Sequence, residues 1–336
     1  MPQRVSVICT VYNEASSITG LLDSLARQTR APDEVVIVDG GSTDGTLEVL
    51  QEYAVRGSLP LHILSRPGLN ISAGRNAAIA AAGGEIIAAT DAGVRLDADW
   101  LEHLVDPFAQ DPAPDVVSGF FIADPHSTFE KALGAITLPR LQELDPAAFN
   151  PSSRSVAFYR SAWEQVGGYP EWLDYCEDLV FDLTLRDAGC TFAFAPAAQA
   201  RFRPRPNLGA FYRQYYRYAR GDGKAGLYAI RHLIRYGTYL VALPLLVALA
   251  VWHSPYWWLG VVVGAVGLLR APLARLWPWL RGASLGEALA LLAWAPVIRV
   301  TGDVAKMAGY PAGVLWRRRR EREGGAPGTG WSRRAF

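Results

Sequence analysis

Several aspartates in the first half of the chain stand where an apolar run stops, and Asp91 is the plainest of them. The run Ile86 to Ala89 ends at Thr90-Asp91, followed by Ala92-Gly93-Val94-Arg95. A short apolar run bounded by turn residues reads as a buried strand of a parallel sheet. Ligands of open α/β sheets bind at the carboxyl ends of such strands. An aspartate there can hold a hard divalent cation through oxygen, and Mg2+ at such sites commonly meets a substrate phosphate as well. The plainer reading is a helix cap or turn former, and only the rest of the chain can decide between the two.

The frame around Asp91 is strand–helix alternation. Val5 to Val11 is rich in β-branched residues and ends at Tyr12-Asn13-Glu14; Ile18, Leu21, Leu22 and Leu25 then recur at helical spacing. Glu34 to Val38 predicts a second strand, ending in Asp39-Gly40-Gly41-Ser42-Thr43-Asp44-Gly45-Thr46, and a helix follows from Thr46 to Arg56. Leu61 to Leu64 predicts a third strand. Ser72 to Ala82 predicts an Ala-rich helix that opens with Gly74-Arg75-Asn76 and stops at Gly83-Gly84. Polar clusters at strand ends throughout are the pattern of a doubly wound α/β domain. Val116 to Ile122 predicts another strand, whereas residues 123–155 show no clear period. Gly167-Gly168-Tyr169 follows, and then Glu177-Asp178 opens a further helix.

Two nucleotide folds are disfavoured by spacing. No G-x-G-x-x-G follows the first strand, and the Gly-rich turn comes after the second; a P-loop pattern is absent. Val-Tyr-Asn-Glu at 11–14, Val-Asp-Gly-Gly-Ser-Thr-Asp-Gly-Thr at 38–46, Ala-Gly-Arg-Asn at 73–76 and Thr-Asp-Ala-Gly at 90–93 instead resemble, in order and spacing, the family 2 inverting glycosyltransferases. Within that family the chain is most similar to succinoglycan-type exopolysaccharide enzymes. The resemblance implies a GT-A fold: α/β, Rossmann-like, with a mostly parallel sheet, followed here by interfacial and transmembrane helices.

It also implies roles. Asp39 would hydrogen-bond the nucleobase or ribose as an acceptor, with Gly40 and Asp44 in the same turn and Asn13 and Glu14 lining the nucleoside pocket. Arg75, beside Asn76 near a helix start, would meet the diphosphate. Asp91 matches the first residue of the family's Asp-x-Asp metal motif, but the second position is Gly93. Mg2+ or Mn2+ would then rest on Asp91, diphosphate oxygens and water, or a nearby cation such as Arg95 would share the work. Inverting transfer needs a base to strip the acceptor hydroxyl. Asp178 is the matching position and Glu177 its neighbour; both also suit a helix N-terminus simply as acids facing its dipole.

The totals divide the chain in two. Residues 1–200 carry 12 Lys/Arg against 27 Asp/Glu, whereas residues 201–336 carry 21 against 5, so a net charge of +1 hides an acidic head and a basic tail. Three cysteines, Cys9, Cys176 and Cys190, form no close pair and favour a reducing compartment. Val5 to Val11 is too short for the apolar core of a secretory signal. The head is expected over 1–200. An amphipathic interface segment at 201–235 interleaves Arg with Tyr and Phe, a composition that suits nucleic acid or, as preferred here, a membrane interface. Its Gln214-Tyr-Tyr-Arg217-Tyr218 resembles the family's Gln-x-x-Arg-Trp motif.

Gly237 to Trp252 and Tyr256 to Leu269 are expected to form a membrane hairpin within 236–316, flanked by arginines that place both ends on the cytoplasmic side. Leu285 to Ile298 reads as interfacial rather than a third span. Arg317 to Arg320 suit anionic lipid in a basic tail at 317–336, expected to be disordered from Gly324 onwards. The expected activity is transfer from a nucleotide-sugar, UDP-linked by preference, to a lipid-linked or polysaccharide acceptor at the cytoplasmic face of an inner membrane. A polyprenyl-phosphate sugar transferase and a catalytically silent membrane scaffold are the alternatives; no nucleic-acid partner is expected.

Overall fold

The computed structural model describes residues 3–324 and divides into two compact units, residues 3–124 with 141–202, and residues 125–140 with 203–324. The tail expected to be disordered lies, after Gly324, outside the described residues.

The first unit is built on an eight-stranded sheet. Its strands are β1 (Val5–Val11), β2 (Glu34–Asp39), β3 (Leu61–Ser65), β4 (Ile86–Asp91), β5 (Val94–Leu96), β6 (Val116–Ala123), β7 (Val156–Tyr159) and β8 (Phe192–Phe202), in the order β3-β2-β1-β4-β7-β6-β8-β5. The half that sequence predicts, β3-β2-β1-β4, is parallel throughout. The other half is mixed, with β4–β7, β7–β6 and β8–β5 antiparallel and only β6–β8 parallel.

The parallel strands read as unbroken apolar runs because both their faces are buried. Val5, Val7, Cys9, Val35, Ile37, Ile86 and Ala88 pack against α1 (Ile18–Ala26) and α4 (Trp100–Val105). On the opposite face Ile8, Val36, Val38, Ile87 and Ala89 meet α3 (Ile71–Ala81) and α7 (Glu177–Asp187). Helices α2 (Thr46–Val55) and α6 (Arg160–Val166) complete this unit. Gly74 matters to the layering: a Cβ there would stand 2.9 Å from Thr10 Cγ2, so glycine lets α3 close onto the end of β1.

The second unit is helical. It takes in α5 (Thr128–Thr137), from the stretch that sequence left unread, with α8 (Leu208–Ala225) and α9 (Ala229–Tyr236). A π-helical stretch, Gly237–Ala242, joins α9 to α10 (Leu243–Trp252), and α11 (Trp258–Leu280) and α12 (Leu285–Arg322) follow. Phe129, Leu133, Phe211, Leu276, Leu291, Ala295 and Ile298 form its apolar centre.

Among the described residues three helical stretches are long and apolar enough to cross a membrane: Ala229–Trp252, Pro255–Leu280 and Leu285–Arg322. The first two extend the short hairpin runs past ~20 residues, the length a crossing needs. The third runs further than the sequence reading drew it: Leu285 to Ile298 is the start of one 38-residue helix, which carries Pro296 and Pro311 inside it and continues through Arg317–Arg320.

Candidate active site

The register of the sheet gathers the strand-end residues. Val11 pairs with Asp39 and Thr10 with Asp91, so the two aspartates flank the end of β1, about 10 Å apart at the usual strand spacing.

Asp39 is 1% exposed, and its carboxylate accepts the backbone N–H of Gly41 at 3.0 Å and of Ser42 at 3.2 Å. Gly40 continues the strand end by donating its N–H to the Val11 carbonyl at 3.0 Å. A Cβ on it would lie 3.4 Å from the Leu69 carbonyl oxygen. Asn13, in the left-handed region at φ 57°, is laced to the neighbouring loop: its N–H donates to Ser42 Oγ and its Oδ1 accepts from the Thr43 N–H, each at 2.9 Å.

Glu14 donates its N–H to Thr46 Oγ1 at 2.8 Å and accepts the Ser17 hydroxyl with its side chain. Its Oε2 lies 3.8 Å from the point where a Cβ on Gly93 would stand. Asp44 accepts from the Thr46 hydroxyl and N–H and from the Ala15 N–H, and the Thr46 hydrogen bond holds its carboxyl below the usual range. Asp44 thereby fastens the turn after β2 to the loop after β1. Tyr12, to which the sequence reading gave no role, is 63% exposed, and its Cδ2 lies 3.7 Å from where a Cβ on Gly40 would stand.

Arg75 links two distant elements. It is 2% exposed; its Nη1 donates to Glu177 Oε1 at 2.7 Å and its Nη2 to Asp91 Oδ1 at 2.9 Å, with the Tyr169 ring 5.4 Å from the guanidinium carbon. Burial opposes its charge, but Glu177 and Asp91 outweigh that and raise its pKa further. Two carboxylates hold the buried fork, so that Arg75 ties the end of β4 to the start of α7. Asn76 is also engaged elsewhere, bonding Tyr169 through both its N–H and carbonyl and accepting from Trp163 Nε1.

Glu177 and Asp178 form the first turn of α7. Burial and the charge of Asp178, opposed by Arg75, push Glu177 up to about 7. Asp178 is half-buried and accepts the Leu179 N–H at 2.8 Å. One turn on, Asp182 is buried with one carboxyl oxygen unpartnered, and burial followed by Asp178 raises its pKa well above the ordinary value. Its signal in the sequence was four-residue spacing from Asp178, which sets both on one helix face.

Asp91 keeps 31% of its side chain exposed, and a second guanidinium, that of Arg154, approaches its Oδ2 at 3.6 Å. Arg95, named from sequence as the helper cation, pairs instead with Asp124 at 3.0 Å. Among the described residues no group of three His, Cys, Asp or Glu side chains is arranged to hold a metal ion. The donor set present is one partly open carboxylate. That fits Mg2+ or Mn2+ only where water and diphosphate oxygens complete the shell.

Gln214, Arg217 and Tyr218 lie on α8 of the second unit, where Gln214 Nε2 donates to the Tyr218 hydroxyl at 2.7 Å.

Comparison with known proteins follows the same outline. Residues 6–163 match the model described as glycosyl transferase family 2, and residues 90–300 the model of glycosyl transferase family group 2. The succinoglycan biosynthesis protein ExoA of Rhizobium meliloti is 30% identical over 236 residues, covering 65% of this chain and 68% of that protein. Among solved structures, the mannosyltransferase PcManGT from Pyrobaculum calidifontis, in complex with GDP-Man and Mn2+, superposes with a TM-score of 0.58 at 23% identity. That match covers 94% of this chain and 88% of the other. Residues 1–349 of S. aureus TarS, in complex with UDP, give 0.50 at 19% identity over 96% and 92%. The structural matches carry the GT-A fold; the family models and the ExoA match carry the membership. The resemblance read from the four sequence blocks therefore holds: this chain is a glycosyltransferase and belongs to glycosyl transferase family 2.

Proposed function

We propose that the enzyme transfers a sugar from a nucleotide-sugar to a lipid-linked or polysaccharide acceptor at the cytoplasmic face of a membrane, with inversion at the anomeric carbon. The observation that carries this reading is the Asp91–Arg75–Glu177 chain of ion pairs. It fixes the end of β4, where a diphosphate would lie, against the first turn of α7, where Asp178 stands.

Asp39 serves the nucleoside, its carboxylate pre-oriented by Gly41 and Ser42, and the exposed Tyr12 ring gives the base a flat face. Asp91 would hold the divalent ion. When bound, that ion neutralises the charge growing on the leaving diphosphate. Asp178 takes the proton of the acceptor hydroxyl as it attacks, and Arg75 holds Asp91 and the start of α7 in register. The membrane acceptor is supported by the three long apolar helical stretches and by the succinoglycan role of the relative. Gln214, Arg217 and Tyr218 are assigned to substrate binding through their resemblance to the family's Gln-x-x-Arg-Trp motif.

The test is nucleotide release by the full-length protein in membranes with a panel of UDP- and GDP-sugars. Asp178→Asn should lower kcat by roughly 10²–10⁴ with donor binding kept, and Asp39→Ala should weaken donor binding. Unchanged turnover in both variants overturns the assignment. A polyprenyl-phosphate acceptor, already ionised, would need no base, and would show as a mild Asp178→Asn effect with intact dependence on Asp39.

A further inference from the structure

Helix α12 touches both outer ends of the apolar hairpin in the second unit. The hairpin turns at His253-Ser254-Pro255, and a Cβ on Gly260 would lie 2.9 Å from Leu246 Cδ2, so α10 and α11 pack antiparallel. Its outer ends, near Tyr236 and Leu276, therefore stand at one level. α12 meets the second end where Leu291, Ala295 and Ile298 share an apolar cluster with Leu276. It meets the first through Arg235 Nε, donating to Asp303 Oδ1 at 2.7 Å, and the Tyr236 hydroxyl, donating to the Met307 carbonyl at 2.6 Å. The rings of His232 and Tyr310 stack there at 3.8 Å.

These contacts fix a depth. Asp303 lies about 27 Å along α12 from Leu285 at the usual rise, nearly the whole thickness of a bilayer's hydrocarbon. A helix crossing beside the hairpin would carry Asp303 to the turn at His253. α12 runs along the hairpin's base instead, which sets Asp303 and Lys306 at the level of lipid headgroups.

Most charges at that base are paired. Arg235 Nη1 lies 3.2 Å from His232 Nδ1, and Asp222 Oδ2 lies 3.2 Å from Nε2. A guanidinium only donates, so Nδ1 accepts, Nε2 donates, and the ring is neutral. Asp303 also accepts the Tyr239 hydroxyl at 3.0 Å.

Two cations keep unspent donors. Arg299 Nε approaches Asp303 Oδ2 at 3.4 Å but is buried without a hydrogen-bond partner, while 41% of the side chain stays exposed. Lys306, seven residues on, shares that face of α12. It is half-buried, and among the described residues its ammonium makes no hydrogen bond or ion pair; it lies 4.8 Å from the centre of the Tyr215 ring. Arg235, Arg299 and Lys306 face two carboxylates, Asp222 and Asp303, so one positive charge is left over. A ring face offsets only part of the cost of such an ammonium, whereas an anion completes it.

We propose that Lys306 and Arg299 bind the phosphate of a membrane lipid at the base of the hairpin. Lysine serves phosphate as a point charge and arginine as a fork, and basic pockets beside membrane helices hold lipid headgroups. This goes beyond the proposed function and holds whichever acceptor the enzyme uses.

The experiment is native mass spectrometry of the full-length protein from neutral detergent, titrated with one probe at a time. The probes are a polyprenyl phosphate, the matching uncharged polyprenol, phosphatidic acid and inorganic phosphate. Wild type should bind a lipid phosphate at one saturable site. Lys306→Gln should weaken it about tenfold, as the loss of a charged hydrogen bond does, and Arg299→Gln less. Lys306→Arg should keep most of the affinity, and the polyprenol should not distinguish the four proteins. Tighter binding of polyprenyl phosphate names a carrier lipid as the source and tighter binding of phosphatidic acid the bulk bilayer; either supports the site. Should Lys306→Gln fail to fold, Arg299→Gln carries the comparison. Lipid-phosphate affinity unchanged in both Gln variants overturns the proposal. So does equal weakening of polyprenol, which marks a packing role, or inorganic phosphate bound as tightly as either lipid, which marks a site for a free ion.

Discussion

Asn76 grips Tyr169 from both sides: its Oδ1 accepts the Tyr169 N–H at 2.8 Å, and its Nδ2 donates to the Tyr169 carbonyl at 2.9 Å. The same Oδ1 accepts Trp163 Nε1 at 3.0 Å. Tyr169 in turn stacks on Phe181 and lies under Arg75, so one amide supports the wall behind the ion-pair chain. Asn76→Ala leaves two donors unsatisfied and should cost about 2–4 kcal/mol. Thermal unfolding in detergent measures it. Asn76→Asp, which keeps an acceptor but loses the donor, should fall between. A loss under about 0.5 kcal/mol for Asn76→Ala would show that water replaces the amide.

Arg75 should respond to substitution as a buried bridge rather than as a surface charge. Arg75→Ala strands the buried Glu177 without its counter-ion while Asp91 keeps Arg154 at 3.6 Å, and breaking a buried pair by removing one partner costs about 3–5 kcal/mol. Arg75→Lys should rescue little, because one ammonium cannot reproduce a fork that reaches two carboxylates. Arg75→Met combined with Glu177→Gln should be less damaging than the two losses added together. Equilibrium unfolding of the four-member cycle decides it, and a coupling energy near zero would remove the bridge from the argument.

Much of the parallel half of this site was legible from sequence because each strand there is buried on both faces and ends at a polar turn. That rule sets Asp39 and Asp91 at strand ends, and the resemblance to the family supplies the roles expected of them. What joins them was not legible. Arg75 and Glu177 are 102 positions apart, and nothing local says that the fork turns inward rather than towards a ligand. Arg154 was hidden by the antiparallel return of β7, which no local period announces. A lone basic residue among serines just before an apolar run was its only signal. In α12 the sequence reading stops the apolar stretch at Ile298, just before Arg299, and Asp303 follows. Asp303 is instead 4% exposed and held by Arg235 at 2.7 Å and by the Tyr239 hydroxyl at 3.0 Å, so the helix continues through its charges.

Glu177 gives stability a definite dependence on pH. Burial raises its carboxyl from 4.5 to about 7. Between those two values the folded protein holds a proton that the unfolded chain has released. Stability from this group is therefore complete below about pH 4.5 and is lost as pH rises through about 7, with an upper size of order 3 kcal/mol. Asp182, also raised, acts with the same sign. The melting temperature in detergent, compared between wild type and Glu177→Gln, isolates the Glu177 part: the variant's curve should be flatter between pH 5 and 7.5. Parallel curves would mean that Arg75 keeps Glu177 ionised throughout.

Helices α8 and α12 touch backbone to backbone, and glycine is what permits it. A Cβ on Gly309 would fall on the Tyr216 carbonyl, and one on Gly313 on the Arg220 carbonyl. Neither obstacle is the end of a flexible side chain that could swing aside; each is main chain inside a helix, so the helices must separate. Separation strips contacts from Phe211 and Ile298 in the centre of the second unit. Gly309→Val should therefore lower stability by about 2–4 kcal/mol, at or beyond the upper end of ordinary overpacking. Gly264→Ala is the matched control, since open space surrounds that position in α11 and the added methyl favours helix. Thermal unfolding of both in the same detergent separates the two cases. If Gly309→Val melts with the control, α8 and α12 are not held at the spacing these contacts require.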